Sequence, residues 1–232
     1  MKRKLVLFDI DGTLLLTAGA GRRAITRALA EQLGAEPDFS LVRFDGKTDP
    51  QIIVELLVAA GSSTPPAPDR IDALCARYLE LLKVELAATQ GQTRLMPGVL
   101  ELLERLDAEG GVVLGLLTGN LAAGAELKLR SADLDPGRFV VGAFGSDSPH
   151  RPDLPGIAVR RAERLFESRP HGETVVIIGD TPADVACGAA INARAIAVAT
   201  GSFSLEDLSA QGPYAAFPDL SQTDRVLDAI VH

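Results

Sequence analysis

Five apolar runs of strand length constrain the fold of this chain most: Leu5–Phe8, Val112–Leu117, Phe139–Ala143, Thr174–Ile178 and Ala195–Ala199. Continuous apolar runs this short read as buried strands. Helical patterns separate most of them. Val99, Leu102, Leu103 and Leu106 follow 3.6-residue spacing, closed by Gly110 and Gly111. Leu121–Leu129, Ile157–Phe166 behind Pro155, and Pro182–Ala190 give three more. Alternating short strands and helices predict an α/β fold with a mostly parallel sheet.

Residues 16–93 break this alternation. They hold no strand signal, and Ala24–Leu33, Pro50–Ala60 and Ile71–Ala88 read as amphipathic helices. Gly61–Pro68 is a loop by composition. The chain is therefore expected to consist of a core, residues 1–15 and 94–232, with residues 16–93 inserted as a helical unit. Gly19 and Gly21 are expected to lend the first junction freedom, and Met96-Pro97-Gly98 reads as a hinge and helix start at the second.

The first apolar run ends in chemistry. Asp9 and Asp11 follow Phe8, one residue apart, and Gly12-Thr13 makes a turn. Buried carboxylates are costly without a partner, and the natural partner here is a hard divalent cation. A second strand ends in Thr118-Gly119-Asn120. Its hydroxyl and backbone N–H groups can cradle a phosphate at a helix start, although an ordinary capped turn has the same residues. A third ends in Gly179-Asp180, with Asp184 four residues on, behind Pro182. Asp184 in a first helical turn also has a plain explanation in the helix dipole.

Asp9-Ile-Asp11-Gly-Thr-Leu resembles the first motif of the haloacid dehalogenase-like hydrolases, and the Thr118, Arg151 and Asp180 segments resemble the later ones. The resemblance extends over essentially the whole chain. It implies a Rossmann-like core with an inserted helical cap, nearest to the phosphoglycolate phosphatase-like proteins. It also implies Asp9 as nucleophile and Asp11 as general acid and base. Family dehalogenases lack the acid at Asp11, so its presence implies phosphate-ester chemistry.

Thr118, Gly119, Asn120 and Arg151 are then the phosphate-binding residues. Arg151, in His150-Arg151-Pro152, stands where the family more often has Lys. Arg is a planar fork and not a point charge, so the local geometry differs. Lys128 is a second choice for that cation, but its place inside a helix directs it to solvent; His150 is expected to be a bystander. The metal set is Asp9, Asp11 through its backbone carbonyl, and Asp180, with Asp184 beside it as a supporting or alternative ligand. An all-oxygen set of this kind suits Mg²⁺.

In the inserted unit, Arg43-Phe-Asp-Gly46-Lys47-Thr48-Asp49 joins two helical patterns. Family caps reach into the site with a comparable loop, which makes Arg43 or Lys47 a substrate contact; a polar turn with Thr48 or Asp49 as N-cap is the simpler account.

Composition sets outer bounds. With 232 residues and 47% hydrophobic content the chain can bury a large core. A net charge of −8 disfavours nucleic-acid binding. Two distant cysteines, Cys75 and Cys187, fit neither a disulfide framework nor a zinc site, and point to a reducing, cytoplasmic setting. Asp9 and Asp11 interrupt the apolar start too early for a signal peptide, and no run reaches membrane-spanning length. The expected partner is a small phosphorylated metabolite. A sugar-phosphate mutase stays open on the same motifs. A phospho-accepting signalling domain and a silent binding module are further alternatives, which Asp11, the inserted unit and the complete motif set argue against.

Overall fold

The computed structural model describes residues 3–35, 40, 42–62 and 66–232. The chain runs through β1 (Lys4–Phe8), β2 (Leu15–Leu16), α1 (Ala20–Leu33), α2 (Asp49–Ala59), α3 (Pro68–Ala88) and β3 (Arg94–Leu95). It continues through α4 (Val99–Ala108), β4 (Val112–Leu117), α5 (Ala122–Ser131), β5 (Val141–Ala143), α6 (Leu154–Ala162) and β6 (Val175–Gly179). It ends with α7 (Pro182–Ala190), β7 (Arg194–Val198), α8 (Leu205–Ser209), β8 (Ala215–Phe217) and α9 (Thr223–Val231).

Six strands form one sheet in the order β5-β4-β1-β6-β7-β8, and every pairing is parallel. The strands read as continuous apolar runs because both faces of the sheet are covered. Side chains alternate across a strand. Val6, Phe8, Leu114, Leu116, Val176 and Ile178 pack with Leu102, Leu103 and Leu106 of α4, Leu129 of α5 and Ile230 of α9. Leu5, Leu7, Val113, Leu117, Val175 and Ile177 pack with Leu154, Ala158 and Ala162 of α6 and Cys187 of α7.

β1 lies between β4 and β6, with Phe8 in register with both Leu116 and Ile178. The chain leaves β1 toward β4 on one side and returns to β6 on the other. In an open parallel sheet such a reversal leaves a crevice at the carboxyl ends of the strands. Asp9, Thr118 and Asp180 each follow one of these three strands.

Helices α1, α2 and α3 surround an apolar cluster of their own, with Ile25, Leu29, Ile53, Leu57, Leu74, Tyr78 and Leu82 inside and Leu121 joining from the core side. A two-stranded antiparallel pair, β2 with β3, ties the chain entering this helical segment to the chain leaving it, Leu15 against Leu95 and Leu16 against Arg94. That pair, β8 and α8 are too short to stand out in the sequence; α9, outside the expected helices, carries a regular stripe of Val226, Leu227 and Ile230.

Other details differ from expectation. The third strand starts at Val141 because Pro136–Arg138 winds into a 3-10 turn capped by the Asp135 side chain. α6 begins at Leu154 and ends at Ala162, where Glu163–Leu165 tightens into a 3-10 turn. Gly21 is not part of a flexible junction; it lies inside α1. Gly98 does start α4, at φ 81°, but a side chain there would overlap the Leu220 backbone, and Leu220 N–H donates to Pro97 C=O at 3.2 Å. The second junction is therefore pinned by packing.

Of the Gly61–Pro68 loop, residues 63–65 lie outside the described residues, as do residues 1–2 of the basic amino-terminal stretch. Cys75 and Cys187 are both free thiols. No helix among the described residues is long and apolar enough to cross a membrane.

Candidate active site

Asp9 leaves the end of β1 with 6% of its surface exposed. Its Oδ1 accepts the Ile10 N–H at 2.7 Å and its Oδ2 accepts Arg151 Nη2 at 3.0 Å. Arg151 comes from the 3-10 turn Arg151–Asp153 ahead of α6 and is 4% exposed. The same guanidinium nitrogen donates to Asp184 Oδ1. The other Asp184 oxygen accepts Thr181 N–H at 3.0 Å and Thr181 Oγ1 at 2.7 Å, a capping arrangement that starts α7. Both Asp184 oxygens are thus engaged, and Asp184 holds Arg151 over Asp9.

Asp180 follows β6 and accepts a 3.0 Å hydrogen bond from Thr13 Oγ1. Its carboxylate is wedged between Gly12 and Gly201, where any Cβ would overlap it. Gly12 is also at φ 81°, so the turn after Asp11 needs glycine for two reasons.

Oxygens of Asp9, Asp180 and Asp184 lie within 4.8 Å of one another, and all three residues are buried. Arg151 is in direct contact with two of them, Asp9 and Asp184. The electrostatic consequence is clear. Burial, together with the charge of Asp184, pushes the Asp9 carboxyl up to about 6 from its ordinary 3.8, against the opposing pull of Arg151. Burial and then the charges of Asp184 and Asp9 push Asp180 well above the carboxylate range. For Arg151, the cost of burial is outweighed by Asp184 and Asp9, and its pKa rises. A cluster of buried oxygen donors with excess negative charge fits a hard divalent cation.

Asp11 turns away from this cluster. Its Oδ2 accepts Lys128 Nζ at 2.6 Å and Asn120 Nδ2 at 2.8 Å. The metal role expected of Asp11 rests on its backbone carbonyl and not on this side chain. The position of Lys128 corrects the expectation of a solvent-facing residue: it is 4% exposed. The reason is that α1 and α3 cover this side of α5, and Gly21 and Gly124 leave room, with the Tyr78 hydroxyl beside both.

Thr118 is fully buried, and its hydroxyl accepts Asn120 Nδ2 at 2.8 Å. Gly119 and Gly145 admit close backbone approach here: a Cβ on Gly119 would overlap the Lys47 carbonyl, and one on Gly145 the Gly119 carbonyl. The Arg43–Asp49 loop therefore rests directly on the Thr118–Asn120 turn. Asp49 N–H donates to Gly119 C=O at 2.8 Å, Thr48 Oγ1 to Pro149 C=O at 2.7 Å, and Ser202 Oγ to Asp45 Oδ1 at 3.0 Å.

Thr48 is the N-cap of α2, through a 3.2 Å bond from Gln51 N–H. This frees the Asp49 carboxylate to cap a different helix, accepting Leu121 N–H at 2.8 Å at the start of α5. Burial pushes Asp49 up to about 6 despite Lys128 and that hydrogen bond.

These residues line a cavity of about 370 Å³ between the sheet and the helical segment. Asp9, Asp11, Thr118, Gly119, Asn120, Arg151 and Asp180 all reach it. Lys47 does too, while paired with Glu55. Arg43 is exposed and does not line it, and His150 is exposed as expected. Sequence reasoning missed Arg22, Asp49 and Tyr78 on the cavity wall. Asp49 was visible only as a helix-start residue, and Tyr78 only as one of the apolar positions of α3.

A family model for haloacid dehalogenase-like hydrolases matches residues 3–192. A Cereibacter sphaeroides protein named phosphoglycolate phosphatase is 31% identical over 192 residues, 82% of each chain. Protein CbbY of Rhodobacter capsulatus is 27% identical over 172 residues, 71% of this chain and 73% of that one. Among solved structures, a CbbY mutant from Rhodobacter sphaeroides in complex with xylulose 1,5-bisphosphate superimposes with a TM-score of 0.74 at 22% identity, covering 95% of this chain and 96% of that one. The chain belongs to the haloacid dehalogenase-like hydrolase family. It is an enzyme of the phosphoglycolate phosphatase-like kind, a phosphatase by class.

Proposed function

We propose that the enzyme hydrolyses a small phosphomonoester through an aspartyl-phosphate on Asp9, with Mg²⁺ at the buried acids. The observation that carries this reading is the meeting of Asp9, Asp11, Thr118, Arg151 and Asp180 at one cavity. Its volume of about 370 Å³ suits a metabolite and not a phosphoprotein.

An Asp9 oxygen attacks phosphorus while the bond to the ester oxygen breaks, and Asp11 gives that oxygen its proton. Water then attacks the same phosphorus, Asp11 takes the proton, and phosphate leaves as Asp9 is regenerated. Thr118 Oγ1, the N–H groups of Gly119 and Asn120, and Arg151 bind the phosphoryl oxygens and offset their charge. Asp9, Asp180 and the Asp11 carbonyl would hold the Mg²⁺, with Asp184 keeping Arg151 in place. When bound, the ion supplies charge stabilisation to the phosphoryl group. Residues 16–93 serve as a cap on the core of residues 1–15 and 94–232. Lys47, and not Arg43, is the loop cation placed to meet the rest of the substrate.

The test is phosphate release over a panel of small phosphate esters, 2-phosphoglycolate first, with Mg²⁺ and with EDTA. Release is expected with Mg²⁺ and a loss of about a hundredfold or more with EDTA. Metal-independent turnover would contradict the assignment. A hexose 1-phosphate in the panel separates the mutase: the expected product is free phosphate, and accumulation of hexose 6-phosphate would replace this reading by that one.

A further inference from the structure

Lys128 has no part in the scheme above, yet it is buried and its ammonium is 2.6 Å from Asp11. Burying a lysine needs a specific return, since an ammonium loses its hydration there. We propose that Lys128 is a positioning residue for Asp11 and that the helical segment sets it in place. The proposal rests on the reading of Asp11 as general acid and base.

The two oxygens of Asp11 are not equivalent. Oδ2 receives two hydrogen bonds, from Lys128 Nζ and from Asn120 Nδ2. An ammonium and an amide NH₂ only donate. Any proton that Asp11 carries must therefore sit on Oδ1, which receives no hydrogen bond among the described residues. The Asp11 side chain is 41% exposed and lines the cavity. One oxygen is fixed, and the other is left to give its proton to the departing ester oxygen and to take one from the attacking water. Without Lys128, Asn120 alone would hold Oδ2, and the carboxyl could turn either oxygen to either side.

The helical segment supplies the wall behind the ammonium. An added Cβ on Gly21 of α1 would lie 3.2 Å from Lys128 Nζ and 3.5 Å from its Cε. It would lie 3.8 Å from the Tyr78 hydroxyl of α3, and one on Gly124 of α5 would lie 3.9 Å from that hydroxyl. Asp49 of α2 feels the Lys128 charge as well. Gly21 of α1 thus lies against this side chain, with the Tyr78 hydroxyl of α3 next to Gly21 and the Asp49 charge of α2 within its field.

A residue that places the general acid should matter in proportion to the leaving group's need for a proton. An alkoxide needs one as it departs; p-nitrophenolate does not. With Mg²⁺ present, Lys128→Met is expected to lower kcat/KM for an alkyl phosphate by about tenfold or more, and for p-nitrophenyl phosphate by less than about threefold. Gly21→Ala is the second variant. It improves helix propensity, so the fold should be kept, while it displaces the ammonium. The same bias, roughly threefold, is expected with an unchanged or raised Tm.

Equal losses on both esters, or no loss, in Lys128→Met and Gly21→Ala would overturn the proposal, as expected of a purely structural lysine. Should Lys128→Met fail to fold, Gly21→Ala decides alone. Asp11→Asn separates the two levels. If it shows the leaving-group bias and the Lys128 and Gly21 variants do not, the positioning role fails and the acid–base reading stands. If Asp11→Asn shows no bias, the acid–base reading itself is wrong.

Discussion

Asp9→Asn is expected to abolish turnover, by roughly four orders of magnitude or more in kcat, while the protein stays folded. An amide oxygen is a poor nucleophile, and no other carboxylate takes its place. Asp180 is wedged by Gly12 and Gly201, and both oxygens of Asp184 are engaged by Arg151 and Thr181. Phosphate release on the most active ester checks this, and near-native kcat would refute the covalent route.

The same variant carries a stability signature. The Asp9 carboxyl is raised in the folded protein, from 3.8 to about 6. The folded state therefore holds this proton more tightly than the unfolded chain does. Its contribution to stability is complete below about pH 3.8 and is lost as pH rises through about 6. In EDTA, wild type should lose stability across that window, and Asp9→Asn should lose less. At pH 7.5 the variant is expected to be the more stable of the two by about 1–3 kcal/mol. Urea unfolding in EDTA at pH 5 and pH 7.5 measures both; a variant less stable than wild type at pH 7.5 would mean that Asp9 is not electrostatically strained.

Arg151→Met is the second large effect. It removes the cation that touches Asp9 and Asp184, and it leaves these carboxylates and Asp180 buried together. Breaking a buried pair from one side costs about 3–5 kcal/mol, which should appear as a lower urea midpoint in EDTA. Mg²⁺ should restore part of this loss, because the ion supplies charge to the same cluster. Turnover should remain low even then, since the phosphoryl group has lost a donor. Arg151→Lys keeps the charge, but a compact ammonium on a flexible stem does not hold the place that the planar guanidinium gives Nη2 between Asp9 and Asp184. It is expected to fold and to lose about tenfold in kcat. An Arg151→Met enzyme with wild-type stability and activity would show that Arg151 is not the site's cation.

Much of the core was legible because its signals are local. All five expected strands lie within one or two residues of those observed, since a run covered on both faces must be apolar throughout. The three helices of residues 16–93 were legible for the same kind of reason, a 3.6-residue stripe around one apolar cluster. The strands that escaped notice, β2, β3 and β8, are two or three residues long and are held by pairing and not by pattern.

The site divides in the same way. Asp9, Asp11, Thr118 and Asp180 follow strands that lie side by side, so a motif at the end of each strand was enough to bring them together. Lys128 and Asp49 could not be read so. On its own helix Lys128 is in line with the buried positions Leu121, Gly124 and Ala125, but a charge there reads as solvent-facing; Gly21, more than a hundred residues earlier, has no side chain to keep it out. Asp49 resembled a cap for its own helix. Thr48 took that place, and Asp49 caps α5 instead. Gly21 itself read as a source of chain freedom, whereas it lies in a helix and serves close packing.

The sequence by itself determined the parallel core, the three helices between the first strand and the second half of that core, and the acids at the strand ends, because each depends on residues adjacent in the chain. Tertiary structure decided how those acids are placed and partnered. It set Arg151 across Asp9 and Asp184, gathered three carboxylates within 4.8 Å, and turned Asp11 toward a buried lysine. Charges act through space and in proportion to burial, and neither quantity is written in the order of residues.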